Sequence, residues 1–349
     1  MTARHPHASR ADAAMPPGAP AIGVRIAGCG SAVPDTRLTN ADFERMLDTS
    51  DEWIVQRTGI RERRRCDPAK GENSRTLSTL ALRRALENAR IDAGELDGVI
   101  VGTVTPEMLC PSNSCRVAAA VGAGTAAAFD ISAACCGFVY GLNIANALIR
   151  SGSMRTVGVV GCDHMTSVMD YTDRRVSILF GDAAGAAVLR ATDDTSRGVV
   201  AHAMHADATG WADLYLPRSK ADFPPGETPT DEKLNRLQMN GQAVFKFAVK
   251  TFGDLIQRTL DSAGLKAEDV DHYICHQSNA RILEASRERF GLPEEKLYVN
   301  IQNYGNTSAG SVGLCLDELW RAGRVREGQL ALFVAFGGGL TWSSSLWRI

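Results

Sequence analysis

DISAACCGFVYGLNIANALIRSG, running from Asp130 to Gly152, decides how the rest of the chain is read. It begins extended, turns through small residues and continues as a helix. Phe138, Leu142, Ala145 and Ile149 recur at helical spacing. Val139, Ile144 and Leu148 make the other faces apolar as well, the pattern of a helix buried on nearly all sides. Ser151-Gly152 ends it. Cys135 and Cys136 stand at the turn. There the unpaired helix N–H groups and the positive end of the helix dipole are expected to favour thiolate, the nucleophilic form. An isolated cysteine is more often a core residue, so the case for a nucleophile rests on its company.

Composition bounds that company. The chain has 349 residues, 44% hydrophobic and 22% charged, enough for two core-bearing units. A formal net charge of -2 gives no basic field for nucleic acid. No apolar run reaches the roughly 18 residues a membrane span needs. The nine cysteines lack zinc-type pairing; Cys110 and Cys115 are too far apart for a CxxC, and no histidine pair accompanies them. Reduced thiols in a cytoplasmic protein are expected, with neither a disulfide framework nor a metal. Residues 1–21, rich in Ala, Pro, Arg and His, read as a disordered tail or a start assigned too early, since Met15 could also initiate. They lack the apolar core of a secretory signal.

Working outward, Val24-Arg25-Ile26 opens the structured part, followed by Gly28-Cys29-Gly30. Asn40 is expected to cap a helix through Phe43 and Leu47, and Ser50 one carrying Trp53, Val55 and Arg57. Leu77, Ala81, Ala85 and Ala89 mark a third, closed by Ala93-Gly94, with a buried strand at Val99-Ile100-Val101. After the central helix come a strand from Thr156 to Val160 and the segment FGDAAGAAVL from Phe180 to Leu189. The second half repeats the order. Val244, Ala248, Phe252 and Leu255 form a helix face ending at Gly264. Tyr273-Ile274-Cys275 is a strand delivering His276, and Ile282, Leu283 and Phe290 belong to the next helix. Leu297-Tyr298-Val299 reads as a strand and Val312, Leu316 and Leu319 as a helix. Gly328 to Val334 leads into Gly337-Gly338-Gly339, and Thr341 to Trp347 closes the chain as a strand. The reading is an α/β protein of two duplicated halves, 22–193 and 194–349, with 205–237 as a long polar, Pro-rich surface loop placed as a lid would be.

Three places each set a reactive or polar side chain at a strand end among small residues. They are Cys135 in DISAACCGF, His276 in ICHQSNARI and Asn306 in NYGNTSAGS. Cys, His and Asn suit acyl transfer through a thioester, with a thiol nucleophile and two groups able to hold an oxyanion. Singly, each is more often a core or turn residue.

Together these segments resemble β-ketoacyl-acyl-carrier-protein synthase III, a thiolase-fold condensing enzyme family. SDEWIVQRTGIRER (Ser50 to Arg63), FGDAAGAAVL, MNGQAVFK (Met239 to Lys246) and FGGGLTWSSSLWR extend the likeness from about Val24 to Ile349. The resemblance implies a five-layered αβαβα fold, a homodimer, and decarboxylative condensation of an acyl-CoA with malonyl-acyl carrier protein, with no cofactor beyond the coenzyme A thioester substrates. It implies Cys135 as nucleophile, His276 and Asn306 as its partners, and the N–H groups of Cys135 and Gly338 as an oxyanion hole. Trp53 and Arg174 match the pair expected on the adenine of coenzyme A. Arg57, Gly241, Phe245, Asn279 and Arg281 match the pantetheine channel. Arg175 stands where the family often has Gly. Lys246, Lys250, Arg281 and Arg289 suggest a basic rim for an acidic carrier protein, joined by Gln277, Ser278, Asn279 and Ala280. Cys110, before PSNSC, matches a position that closes the partner's acyl tunnel, and a side chain this small is expected to admit primers longer than acetyl. Cys136, where the family often has Ala, is left a packing role.

Rivals share the scaffold. A biosynthetic thiolase would need a second cysteine in the glycine turn, and the type I and II ketosynthases use two histidines. A hydroxymethylglutaryl-CoA synthase needs a Glu base with no matching motif here. A secondary-metabolism ketosynthase or an O-acyltransferase fits the same triad. A non-catalytic acyl- or carrier-binding homologue would be expected to lose one of the three residues, and a cysteine protease finds no motif.

Overall fold

The computed structural model describes residues 21–349, so the expected tail, apart from Ala21, lies outside the described residues. The first half runs β1 (Gly23–Ala32), β2 (Arg37–Thr39), α1 (Asn40–Met46), α2 (Asp51–Thr58), β3 (Glu62–Arg64), α3 (Ser74–Ala89), β4 (Gly98–Gly102), α4 (Asn113–Val121), β5 (Ala127–Ile131), α5 (Gly137–Arg150), β6 (Thr156–Asp163), α6 (Arg174–Ser177) and β7 (Ala183–Thr192). The second runs β8 (Gly198–Ala206), β9 (Leu214–Tyr215), β10 (Gln238–Met239), α7 (Gly241–Ala263), β11 (His272–Cys275), α8 (Ala280–Arg289), α9 (Ile301–Tyr304), α10 (Gly310–Arg321), β12 (Leu330–Gly337) and β13 (Thr341–Arg348).

Two sheets carry the fold, ordered β1-β7-β6-β4-β5 and β11-β12-β13-β8. In the first, β4 is parallel to β5 and β6, while β6–β7 and β7–β1 are antiparallel. The second repeats this: β11–β12 parallel, β12–β13 and β13–β8 antiparallel. Helices α3 and α4 cover the outer face of the first sheet, α7 and α8 that of the second, and α5 and α10 lie between the sheets. That is the five-layered αβαβα arrangement of the thiolase fold. Three apolar cores fill the four interfaces, the largest holding Phe138, Leu142, Val312 and Leu316 of the two central helices against both sheets. A helix sandwiched between sheets has no solvent face, which is why α5 is apolar nearly all round. It approaches β4 so closely that a Cβ on Gly102 would stand 2.6 Å from the Cα of Gly137; only glycine allows that contact.

Local detail departs from expectation in several places. Thr39, not Asn40, caps α1: its hydroxyl accepts from Asp42 N–H while the Asp42 carboxylate accepts from Thr39 N–H. Asn40 instead turns inward, donating to Asp51 and the Ile60 carbonyl and accepting from the fully buried Arg63. Helix α3 stops at Ala89, where Arg90 enters the left-handed region (φ 53°), and Ala93–Glu95 is a separate 3-10 turn capped by Asp92. The expected strand at 297–299 is reduced to one bridge, Tyr273 to Leu297. Beyond it the Gln277 side chain takes the Tyr298 carbonyl and the Asn300 N–H, so a side chain replaces the ladder. The 205–237 segment is also more than a polar surface loop: β9 within it pairs with β10, and Leu214, Tyr215, Leu216 and Leu237 face inward.

Candidate active site

Cys135 lies in a 3-10 turn, Ala134–Cys136, between the end of β5 and the start of α5. Ala134 adopts φ 46°, a conformation that L residues hold only when the surroundings impose it. Gly337 closes over this turn; a Cβ there would stand 2.7 Å from the Cys135 nitrogen. His276 follows β11 directly, its N–H donating to the Val334 carbonyl at 2.8 Å. Asn306 is strapped to the segment before β7: its N–H donates to Leu179 O at 2.8 Å, and its carbonyl accepts from Gly181 N–H at 3.0 Å. Cys135 and His276 thus follow strands, as expected, whereas Asn306 follows the short helix α9 and joins Phe180 through an isolated bridge.

The three side chains line one narrow cavity of about 90 Å³, with Phe180, Leu214, Phe245, Ile282 and Phe336 as its apolar walls. Cys135 also borders a second chamber of about 280 Å³, walled by Val104, Met165, Phe180, Leu214, Leu216 and Leu237. Gly338 lines that second chamber.

Burial governs the protonation states. It pushes the Cys135 thiol up to about 12, against a smaller lowering from the Ser308 hydroxyl, which donates to Sγ at 3.4 Å. Burial thus opposes the thiolate that the helix start was expected to favour, and Cys135 lies before α5 rather than within its first turn. Burial also lowers His276 to about 3, so the imidazole is neutral at physiological pH. Its ring stands edge-on to Phe336, centroids 5.5 Å apart. Asn306 Oδ1 accepts from Ser308 N–H at 2.9 Å, so the amide group left for the cavity is the NH2 donor. Beneath the site the buried Asp163 gathers Thr103, Val104, Thr105 and the Ala309 N–H. Its burial raises its carboxyl above the ordinary range. Cys136 is fully buried, its thiol also pushed up by desolvation.

The other expected site residues divide into groups. Trp53 is half-buried, with the guanidinium groups of Arg174 and Arg57 at 5.2 and 5.5 Å from its ring. Arg174 also bonds Asp48, whereas Arg175 pairs with Asp173 at 2.8 Å. Gly241, Phe245, Ser278 and Asn279 line the narrow cavity, and Arg281 stacks over Phe245 at 5.3 Å. Asn279 spends its side chain on the Arg57 carbonyl and on capping α8 at Arg281 N–H. Ala280 packs against Gly59.

Gln277 is not a carrier-binding surface residue. It is 1% exposed, and its amide donates to Cys275 O and Tyr298 O and accepts from Asn300 and Ile301 N–H. Lys246 and Lys250 are exposed, but Lys250 lines a different groove, with His202, Arg258 and Trp342. Arg289 pairs with Asp254 at 3.0 Å. Asp254 lines the same groove as Lys250. Cys110 is exposed and borders neither chamber of its own chain.

Ser308, Ser311, Asp163 and the chamber walls are not singled out by any sequence pattern above. The apolar pairs Leu214/Leu216 and Leu237/Met239 flanking the polar loop were the available signal for the walls. Elsewhere, Cys66, His164 and Asp182 bring ligand-type atoms within 4.8 Å of one another. Asp182 already accepts from Cys66 N–H and from the Thr166 N–H and hydroxyl, which makes the cluster a hydrogen-bonded joint between loops.

Known proteins share this architecture. Residues 129–208 match the family model described as 3-oxoacyl-[acyl-carrier-protein] synthase III, and residues 260–349 match its C-terminal counterpart. A β-ketoacyl-[acyl-carrier-protein] synthase III of Caldanaerobacter subterraneus subsp. tengcongensis is 46% identical over 325 residues, covering 93% of this chain and 97% of that protein. The crystal structure of 3-oxoacyl-[acyl-carrier-protein] synthase III from Aquifex aeolicus superposes with TM-score 0.86 at 40% identity, covering 94% of this chain and all of that one. A priming β-ketosynthase from the R1128 polyketide pathway superposes with TM-score 0.86 at 37% identity, covering 94% and 97%.

Proposed function

The chain belongs to the β-ketoacyl-[acyl-carrier-protein] synthase III family, and from that premise we propose how its residues perform the condensation. It is a condensing acyltransferase that joins an acyl primer to malonyl-acyl carrier protein, the initiating step of fatty acid biosynthesis. One observation carries the residue-level reading. Cys135 stands where the narrow cavity holding His276 and Asn306 meets the apolar chamber. A thiol there can hold an acyl chain in one space while a second thioester enters the other.

The primer arrives as acyl-CoA, with Trp53 and Arg174 on the adenine and Gly241, Phe245 and Asn279 along the pantetheine arm. Cys135 attacks the thioester carbonyl, whose oxygen is held by the N–H groups of Cys135 and Gly338. The neutral His276 relays the thiol proton, and coenzyme A leaves. Malonyl-carrier protein then enters through the same cavity. Carbon dioxide departs, and the Asn306 NH2 group stabilises the enolate oxygen. A well-placed donor of this kind is worth about 3 kcal/mol. The carbanion attacks the acyl-Cys135 carbonyl, the 3-ketoacyl-carrier protein leaves, and a proton from solvent restores the thiol. The cycle requires no metal or redox cofactor.

The acyl chamber, at about 280 Å³, is several times the roughly 30 Å³ that one water occupies. It fits primers longer than acetyl. The assembly is a homodimer built on the edge of β5, which pairs on one side only and shows Phe129 at 36% exposure. Met108 and Leu109 are exposed on the segment that also bears Cys110, which supports a reach across that edge to the partner's acyl chamber. Nine free cysteines suit a reducing cytoplasm.

Intact and peptide mass spectrometry after incubation with acetyl-, butyryl-, hexanoyl- and octanoyl-CoA tests this reading. The acyl mass is expected on Cys135, absent in Cys135→Ala and retained in Cys136→Ala. Asn306→Ala should still acylate and lose most condensation. An acyl group found on Cys136, or acylation and condensation lost together in Asn306→Ala, would overturn the assignment.

A further inference from the structure

The segment NTSAGS, Asn306 to Ser311, holds a second serine that lines neither chamber at Cys135 yet contacts the imidazole. Ser311 is 1% exposed, and its Oγ lies 2.7 Å from His276 Nδ1. The same hydroxyl donates to the Ser308 carbonyl at 3.0 Å and accepts from Gln277 N–H at 3.4 Å. A hydroxyl has one proton to give. With that proton on Ser308 O, the contact with His276 is made by Nδ1–H donating to Oγ. In that arrangement Nδ1 carries the hydrogen, and Nε2, across the ring from Ser311, carries the lone pair. Among the described residues no hydrogen-bond partner reaches Nε2, and His276 lines the same cavity as Cys135. The backbone reinforces the arrangement, because Ser311 N–H also donates to Ser308 O at 3.3 Å and holds the serine over the ring.

We propose that Ser311 is a positioning residue that keeps His276 in its Nδ1–H tautomer, so that Nε2 accepts the Cys135 proton during acylation. The inference rests on the condensing reading above and goes beyond it by dividing the two half-reactions between two donor settings. In acylation the Cys135 sulfur bonds to the acyl carbon as its proton passes to Nε2. The acyl carbon–sulfur bond of acyl-CoA then breaks, the Nε2 proton moves to the departing sulfur, and coenzyme A leaves as the thiol. The ring returns to its neutral Nδ1–H form. In decarboxylation the constant donor is the Asn306 NH2 group, because Ser308 N–H has already claimed Oδ1. Two serines three residues apart therefore assign a proton acceptor to one half-reaction and a hydrogen-bond donor to the other.

The test uses the full-length enzyme. Histidine-selective ¹⁵N labelling, with His276 assigned by its loss in a His276→Gln spectrum, should show a protonated Nδ1 and an unprotonated Nε2 in the resting wild type. In Ser311→Ala the two tautomers should mix. The rate of Cys135 acylation at saturating acyl-CoA should fall at least tenfold, with the half-saturating concentration within twofold of wild type. Carbon dioxide release from malonyl-carrier protein by fully acylated Ser311→Ala should fall less than threefold, and Ser311→Thr should restore acylation. A merely structural role would lower both half-reactions alike. A wild type with Nε2 protonated, or a Ser311→Ala enzyme that acylates at the wild-type rate, overturns the proposal. If Ser311→Ala fails to fold, the wild-type spectrum decides. A wild type that never acylates Cys135 would instead defeat the condensing reading.

Discussion

Cys135 shows how two local effects of opposite sign are resolved by magnitude. The sequence places it beside a helix start, which favours thiolate by a fraction of a kcal/mol to about 2 kcal/mol. Full burial opposes that and pushes the thiol up to about 12. On the proposed mechanism, reactivity is created by the bound thioester and by proton transfer to His276, rather than stored in a resting thiolate. Alkylation of Cys135 by iodoacetamide, followed by peptide mass spectrometry, should accelerate continuously from pH 7 to pH 10. A plateau below pH 8 would show a resting thiolate and contradict the burial argument. Cys110 and Cys115, exposed in the single chain, provide the comparison in the same digest. The pH dependence of stability follows from His276. Its folded value, about 3, lies below the ordinary histidine value of 6.5. The unfolded chain therefore binds the extra proton between those values, and the stabilisation present above pH 6.5 is lost as pH falls. Denaturant unfolding at pH 5 and pH 7.5 should differ by about 2 kcal/mol from this group. His276→Gln should shrink the difference, and an unchanged difference would show that other groups cause it.

The β9–β10 ribbon is the element whose part in the site was hardest to foresee. Its strands are two residues each, too short for a periodic signal, and they pair across more than twenty residues of loop. Once paired, they aim Leu214 and Met239 into the narrow cavity and Leu214, Tyr215 and Leu216 into the acyl chamber. On the proposed reading, the ribbon serves as a ruler for the primer. Leu216→Phe should cut acylation by hexanoyl-CoA relative to acetyl-CoA by about tenfold, since each excluded methylene forfeits about 0.8 kcal/mol. An unaltered ratio would remove the ribbon from chain-length selection. Helix α5 is the opposite case: fourteen residues with apolar positions on every face could be assigned from the pattern alone.

At the scale of the molecule, the first sheet ends on β5, a strand with an exposed Phe129 and one open edge. Such an edge is a template for pairing unless it is covered. On the proposed dimer through this edge, Phe129→Asp should give a monomer at micromolar concentration in sedimentation velocity where the wild type is dimeric. A Phe129→Asp protein that stays dimeric would move the interface elsewhere. On the proposed dimer, in which Cys110 faces the partner's chamber, loss of the dimer should also change the primer-length profile.

The linear order of residues was enough for the α/β class, the repeated halves, the central buried helix and the three side-chain types, because each depends on periodicity or short motifs. It could not decide whether Cys135 is thiol or thiolate, since burial arises from α5, β12 and the 205–237 segment meeting around it. Nor could it show that Gln277 faces inward: HQSNARI reads as an exposed strand end until Tyr298, Asn300 and Ile301 take up its amide. The tautomer of His276 is likewise a tertiary property. It depends on Ser311, 35 residues away, and on a single hydroxyl proton whose direction is set by the carbonyl of Ser308. Local pattern specifies which groups a chain carries; only packing fixes their solvation and partners, and those two decide what the groups can do.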